Sequence, residues 1–468
     1  MNFWDSSVWS FIAQMSIIFI LILAANTVRR KVKFISNSLL PSSVIAGVFI
    51  FILKFIPFVS KWVDESFMEV LTYHALGLGF VALSLKTIVK AKQKKDGVIL
   101  NSGIITVNGY LVQAITGLII TILLVVTFMP EFFPAAGLLL PMGFGQGTGQ
   151  ALNFGNIYEG LGFKNGTAFG LSIAAIGFLV ACLVGVIYLN VLKKTNKLSI
   201  QQQRKENANN MNVDVYAEDE APLSESVDKM TIQFGFIFCV YAITYGFISL
   251  LSWLAETYLG NFGVNTLKPL FWGFNFLFGT LFAILVKKIV AKLKAKKIMK
   301  HTYINNHMMD RISGMFFDIM IVAGIAAINW QDLTGILVPL ILVCTFGTLT
   351  TFGYLRLICK KIYPDYPYEA FFSIFGMLTG TASTGMILLR EIDPNYETPA
   401  SNNLVLQQLP AVIFGAPILL LMTFAASGGV TNALIMLGIV FGMFVVYNII
   451  LFRKFIFKRK NKIEEVVE

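Results

Sequence analysis

The chain has 468 residues, of which 56% are apolar and only 13% charged, and its mean hydropathy is +0.72. A soluble globular domain is about one-quarter charged, so a water-covered surface is excluded for most of this chain and the bilayer is the solvent it suits. The net charge of +11 would suggest nucleic acid in a soluble protein, but here the cations gather beside apolar runs and follow a membrane pattern.

Apolar runs of about 20 residues predict crossings at 7–26, 39–59, 68–88, 98–128, 166–192, 230–254, 269–287, 311–329, 333–357, 404–425 and 430–452. With the N-terminus outside, 33 of the 37 Lys and Arg residues fall in inside loops, leaving only Lys54, Lys61, Lys164 and Lys268 outside. That asymmetry is what correct topology produces. Trp4, Trp9, Trp62, Trp253, Trp272 and Trp330 all fall at outer span ends, where indoles favour the interface. The polar stretch 193–229 predicts a disordered cytoplasmic linker. It separates a five-span half, 1–192, from a second, 230–425, and 426–468 adds one more span with a basic tail. An odd span count per half makes the second half enter from the opposite side, as in the inverted repeats of secondary transporters.

Two stretches, 134–157 and 370–389, are apolar at the flanks and polar in the middle. The first holds Gly143, Gly145, Gln146, Gly147, Thr148, Gly149, Gln150 and Asn153. Each glycine destabilises a helix by roughly 1 kcal/mol relative to alanine, so a re-entrant hairpin is expected rather than a continuous helix through Gly149. Broken backbone at membrane depth requires a protein-lined or wet surrounding. The second stretch, bracketed by Glu369 and Arg390, centres on Thr379, Gly380, Thr381, Ser383 and Thr384. The shared Gly-Thr pairs at 147 and 380 are 233 residues apart, and opposed entry would let the two tips meet near the midplane. Helix N-termini suit a carboxylate, and freed carbonyls with Thr, Ser, Asn and Gln oxygens suit sodium. Close packing of small residues is the plainer alternative.

In span 98–128, Ser102, Thr106, Gly109, Gln113 and Thr116 share one helix face, which fits either a pathway or interhelical glue; Gln113 is the strongest pathway candidate. Asp318 within 311–329 is a functional candidate because a carboxylate at that depth is costly, although pairing with Arg311 would also explain it. Arg390 suits either carboxylate binding or a snorkelling role that retains topology. Asn402, Asn403, Gln407 and Gln408 are too polar for a lipid face. The four cysteines and three histidines have no disulfide or zinc spacing, and the N-terminus lacks the basic region of a signal peptide. No phosphate-binding GxxxxGK[ST] loop or intramembrane catalytic set is present, so the chain does not read as an enzyme.

The chain resembles the bacterial sodium/glutamate symporter family. The resemblance is carried by Gly145-Gln-Gly-Thr-Gly149 through Asn153, Tyr158 to Asn165 and the Gly-rich span ending near Tyr188. Weaker echoes are Leu40 to Gly47, Leu76-Gly-Leu-Gly79, Gln113 and Asp365 to Ala370. Gln146 stands where the family commonly has His, and the second tip lacks the family's Pro-containing pattern. The resemblance implies a ten-span inverted-repeat core with two re-entrant loops, a homodimeric scaffold, and sodium-driven uptake of an acidic amino acid.

The expected fold class is thus an all-α polytopic membrane protein with two inverted five-span repeats, each with a re-entrant hairpin, plus an extra C-terminal transmembrane helix. The expected function is a symporter importing glutamate or a related small carboxylate across the bacterial inner membrane, with co-transported sodium and a cytoplasmic C-terminus. Substrate contacts are expected from Gln146, Gly147, Thr148, Gly149, Gln150, Asn153, Gly380, Thr381, Ser383, Thr384 and Arg390. Sodium contacts are expected from Thr148, Thr379, Thr381, Gln113 and Asp318. A channel using the paired loops as a filter is the alternative.

Overall fold

The computed structural model describes residues 2–33, 35, 40–60, 62–86, 98–195, 228–299, 301, 303–393 and 398–467. Most of the linker expected at 193–229 lies outside these described residues. All regular structure among them is helical, and eight helices are long and apolar enough to cross a bilayer: Val8–Lys31, Glu65–Leu85, Val98–Thr127, Gly166–Leu192, Lys229–Asn261, Leu337–Ile362, Pro410–Ser427 and Gly429–Arg453. The protein is therefore a multi-pass membrane protein.

The helices used below are α1 (Ser6–Lys31), α2 (Ser42–Leu53), α3 (Glu65–Leu85), α4 (Val98–Thr127), α5 (Thr148–Gly160), α6 (Gly166–Lys194) and α7 (Lys229–Phe262). They continue with α8 (Asn275–Ala295), α9 (Asn306–Ala326), α10 (Leu337–Ile362), α11 (Pro367–Thr379), α12 (Ala382–Arg390), α13 (Gln408–Ser427) and α14 (Gly429–Val467). Three expected spans depart from the simple pattern. The run 39–59 forms only the 12-residue α2, about 18 Å long, because Pro41 precedes it and Pro57 opens a separate short turn. The run 269–287 is split before Asn275 and then continues as α8 into the lysine-rich end at 287–294. Helix α9 begins in the polar sequence Asn306-His-Met-Met-Asp-Arg311. Elsewhere, local signals set the boundaries. Asp64 caps α3 by accepting from the Phe67 amide at 3.2 Å, and Asp228 caps α7 through Met230 and Thr231.

The chain forms two compact units. The first comprises Met1–Ile18, Lys61–Lys92 and Ser199–Gly324. Its core joins Leu78, Val81, Ala82 and Leu85 of α3 to Ile237 and Val240 of α7 and Ala283 of α8. Glycine brings these helices close: a methyl at Gly79 would lie 2.7 Å from the Phe317 ring, and one at Gly279 2.8 Å from Val81. Lys287 Nζ donates to the Ser84 and Lys86 carbonyls at 2.8 and 2.9 Å, at the C-terminal end of α3.

The second unit comprises Phe19–Ser60, Gln93–Leu198 and Ile325–Glu468. Its core is an aromatic stack of Tyr188, Phe352, Phe371, Phe372 and Phe375 around α6, α10 and α11. Helices α4 and α10 run antiparallel along a polar ladder: Ser102 to Tyr363 at 2.6 Å, Gln113 to Thr351 at 3.2 Å, and Thr116 to Thr350 at 3.0 Å. Ser102 and Thr116 therefore serve interhelical packing. The C-terminal α14 is integral to this unit, with the Tyr447 hydroxyl donating to the Phe414 carbonyl at 2.9 Å and Phe444 packed on Tyr354.

The second unit also contains a counterpart to the Lys287 contact. Lys54 Nζ donates to the Ala326 and Ile328 carbonyls at 3.0 and 2.9 Å. Each lysine thus holds two carbonyls two residues apart where a helix ends, the place at which a cation best offsets unsatisfied carbonyls. Charge-assisted bonds exceed neutral ones, and a carbonyl left unpaired costs about 1–3 kcal/mol. Lys54→Met and Lys287→Met are each expected to lower the unfolding midpoint of the detergent-solubilised protein by several degrees, while exposed Lys164→Met leaves it unchanged. Thermal unfolding followed by circular dichroism measures this.

Candidate functional site

Both polar-centred stretches break where their glycines stand, and both belong to the second unit. In the first, a short 3-10 turn, Pro134–Leu138, leads into a π-helical turn, Pro141–Gly145. The chain then opens at Gln146 and Gly147 and resumes as α5 from Thr148. Gly147 has φ 80° and ψ −172°, a conformation open essentially to glycine alone. The break thus falls earlier than the sequence suggested: Gly149 lies inside α5. In the second, α11 ends at Thr379, Gly380 leaves the helix with φ −147° and ψ −108°, Thr381 is extended, and α12 starts at Ala382. Thr381 caps α12, its Oγ1 accepting from the Thr384 amide at 3.4 Å.

The two breaks meet. A methyl placed on Gly147 would sit 3.7 Å from Thr381 Cγ2 and 3.9 Å from the Gly380 carbonyl oxygen, ordinary contact distances. The first turn of α5 and the first turn of α12 therefore bring two helix N-termini to one locus. The first amides of a helix have no intrahelical acceptor, and the macrodipole is positive there. No Asp, Glu, Lys or Arg occurs in either broken segment from 132 to 158 or from 370 to 389, so the locus is polar without fixed side-chain charge.

Around it, Thr148, Gln150 and Asn153 on α5 are buried, as are Thr379 and Thr384 of the second segment. Gln146 is half-buried. Both amide atoms of Gln150 are buried without a hydrogen-bond partner. The Thr379 hydroxyl is satisfied within α11 by the Phe375 carbonyl at 2.8 Å, while its own carbonyl faces Gly177 of α6. The Thr381 and Thr384 hydroxyls lie 3.3 Å apart. Ser383 lies in the first turn of α12, and its side chain is outside the described set.

Gln113 connects the two segments. Its Nε2 donates to the Leu378 carbonyl at 2.8 Å and to Thr351 Oγ1 at 3.2 Å. The amide orientation follows, because the carbonyl only accepts. Its Oε1 is buried without a partner, and a methyl on Gly145 of the first segment would lie 3.3 Å from it. Gly109, one turn earlier on α4, is tight against Leu378. The polar start of the next helices braces the second segment from outside. Asn403 donates to the Tyr366 hydroxyl at 2.9 Å, and Gln407 and Gln408 both approach Met377 Sδ at 3.3 Å, whereas Asn402 is exposed.

One expected site residue of this unit is not gathered here. Arg390 is exposed at the far end of α12, about 13 Å of helix rise from Thr381. Asp318 belongs to the other unit, on an exposed position of α9. Sequence reading also missed one contributor: Gly177, where a side chain would press on the Thr379 carbonyl at 2.5 Å. Its only signal was its place among the several glycines of this Gly-rich apolar span. No metal-holding group of three or more His, Cys, Asp or Glu occurs among the described residues. Compared with family models, curated proteins and solved structures, the chain matches none of them.

Proposed function

We propose that the protein is a sodium-coupled secondary transporter that carries glutamate or a related small carboxylate inward by alternating access. In this reading the two broken segments are re-entrant hairpins that enter a bacterial inner membrane from opposite faces. The protein works as a homodimer with its C-terminus in the cytoplasm. The observation that carries the proposal is the head-to-head meeting of two helix N-termini at Gly147 and Thr381. Backbone amides at such ends favour a carboxylate, and the carbonyls and hydroxyls of the same breaks provide oxygen ligands for a hard monovalent cation. A site without fixed charge takes the anion and its sodium together, and neutralisation of one by the other couples them.

An inverted repeat is supported by three internal correspondences. The Gly-Thr breaks at 147 and 380 are 233 residues apart, and so are the helix-end lysines 54 and 287. Helices α4 and α10, which precede the two broken segments, run antiparallel. Each sodium ion crossing with the membrane field contributes about 2.3 kcal/mol per 100 mV, and its concentration gradient adds to this.

The test is uptake of labelled glutamate, with aspartate and dicarboxylates as alternatives, into proteoliposomes under an imposed sodium gradient. Thr148→Val and Thr381→Val keep side-chain volume and remove a hydroxyl. Each is expected to reduce sodium-driven uptake at least about fivefold, since a lost hydrogen-bonding ligand is worth about 1–3 kcal/mol. Normal sodium-dependent transport by both variants would remove the breaks from the site. Current far above the coupled flux would favour the channel reading.

A further inference from the structure

Helix α8 presents an exposed ridge that changes abruptly from apolar to cationic. Leu281 and Leu285 are 56% and 51% exposed, and Lys288 and Lys292 are exposed further along. The spacing i, i+4, i+7, i+11 places all four on one helix face. Ile289, also exposed, flanks them. From Leu281 to Lys292 the helix rises about 16 Å, close to the thickness of one hydrocarbon leaflet, about 15 Å.

Among the described residues, no ion pair engages Lys288 or Lys292. Between Glu256 and Asp310 the sequence contains no Asp or Glu, while Lys287, Lys288, Lys292, Lys294, Lys296 and Lys297 crowd 11 positions. Asp310 is itself engaged by Lys86 at 2.6 Å. Lys287 is turned inward onto the Ser84 and Lys86 carbonyls, which pins this end of α8 to α3. Lys288 and Lys292 are thus held at a fixed place at the end of an apolar ridge.

We propose that this ridge binds one anionic phospholipid, its acyl chain along Leu281 and Leu285 and its phosphate on Lys288 and Lys292. Charge complementarity selects the occupant. A second copy of the same face would set lysines against lysines, and a zwitterionic lipid offers no net charge to offset them. Clustered cations beside a membrane-embedded helix attract anionic headgroups by about fivefold in affinity per residue, so two contribute about thirtyfold. The site lies wholly within the first unit, whereas Gly147 and Thr381 belong to the second, and it holds whether or not the transport reading does.

The experiment is native mass spectrometry of the full-length protein in mild detergent, titrated with phosphatidylglycerol or phosphatidylcholine. The wild type is expected to retain at least one phosphatidylglycerol after activation that strips phosphatidylcholine. The double variant Lys288→Gln, Lys292→Gln is expected to lose that adduct by about thirtyfold in affinity. Lys288→Arg with Lys292→Arg retains it, and Lys360→Gln with Lys361→Gln, which removes equal charge from exposed positions on α10, leaves it unchanged. Because the four lysines are exposed, circular dichroism should be identical throughout. Equal phosphatidylglycerol retention by wild type and the Lys288/Lys292 glutamine variant overturns the proposal. So does equal retention of the two lipids, or full competition by soluble glycerol phosphate at the lipid's concentration, which would make the ligand a free phosphate. Loss of the adduct in the Lys360/Lys361 variant would reduce the effect to net charge and overturn it as well.

Discussion

Gly147→Ala is expected to abolish sodium-driven uptake while the protein still inserts and folds. The added methyl has room, at 3.7 Å from Thr381 Cγ2, so crowding is not the cause. The cause is the backbone, because φ 80° with ψ −172° is a region that side-chain-bearing residues occupy only at a cost of about 1–3 kcal/mol. The loop relieves that strain by rotating out of the region, which moves the first amides of α5 away from Thr381. If the active geometry costs the variant 2–3 kcal/mol, uptake falls roughly 30- to 150-fold. Gly162 is the control. It also has positive φ, 101°, and has nothing within 4 Å of an added methyl, but it lies in the turn after α5, outside the meeting point. Gly162→Ala should lower the unfolding midpoint comparably and leave transport per folded molecule intact. Initial rates in proteoliposomes, normalised to monodisperse protein, compare the two, and equal uptake losses would assign the Gly147 effect to folding alone.

Gln113→Leu is expected to have the second-largest effect. Its amide donates to the Leu378 carbonyl at 2.8 Å across 265 residues of sequence, and its Oε1 faces Gly145 of the other broken segment. Leucine has similar bulk and no donor, so the change leaves the Leu378 carbonyl and Thr351 with one fewer partner in a buried setting. The cost is about 1–3 kcal/mol. Uptake should fall roughly 5- to 150-fold, and the sodium concentration for half-maximal uptake should rise, because Oε1 is a buried, unpartnered oxygen beside the meeting point. Gln113→Glu separates the two roles. It keeps an oxygen towards Gly145 and loses the donor to Leu378, so it restores part of the sodium response but not the rate. An unchanged sodium dependence in both variants would confine Gln113 to packing between α4 and α10.

The division between what was legible and what was hidden follows the range of the forces involved. Span positions are set by local hydropathy, and the eight long apolar helices coincide with predicted runs. The breaks are also local: a glycine at 147 and a Gly-Thr pair at 380 interrupt helices because backbone entropy and conformation depend on those residues alone. Even the exposed indoles of Trp9, Trp62, Trp253 and Trp330 belong to this class, since an indole's preference for an interface needs no partner. By contrast, the short α2 was overestimated because its apolar composition outlasted its helix, which prolines bound on either side.

The amino-acid sequence by itself thus determined the solvent, the succession of helices and the two places where helices could not continue. Tertiary structure alone decided which polar side chains converge. Ser102 and Thr116 share a helix face with Gln113 but are used by Tyr363 and Thr350, and only Gln113 reaches both broken segments. Arg390 stands in the right segment but at its far end, and Asp318 belongs to the other unit. Lys54 read only as one of four outside cations and Lys287 as one of the inside cations, and the carbonyls they hold, 272 and 203 residues away, came into view only with the packing. Such pairings are set by how distant helices pack against one another, and a single chain's local pattern carries no record of that distance.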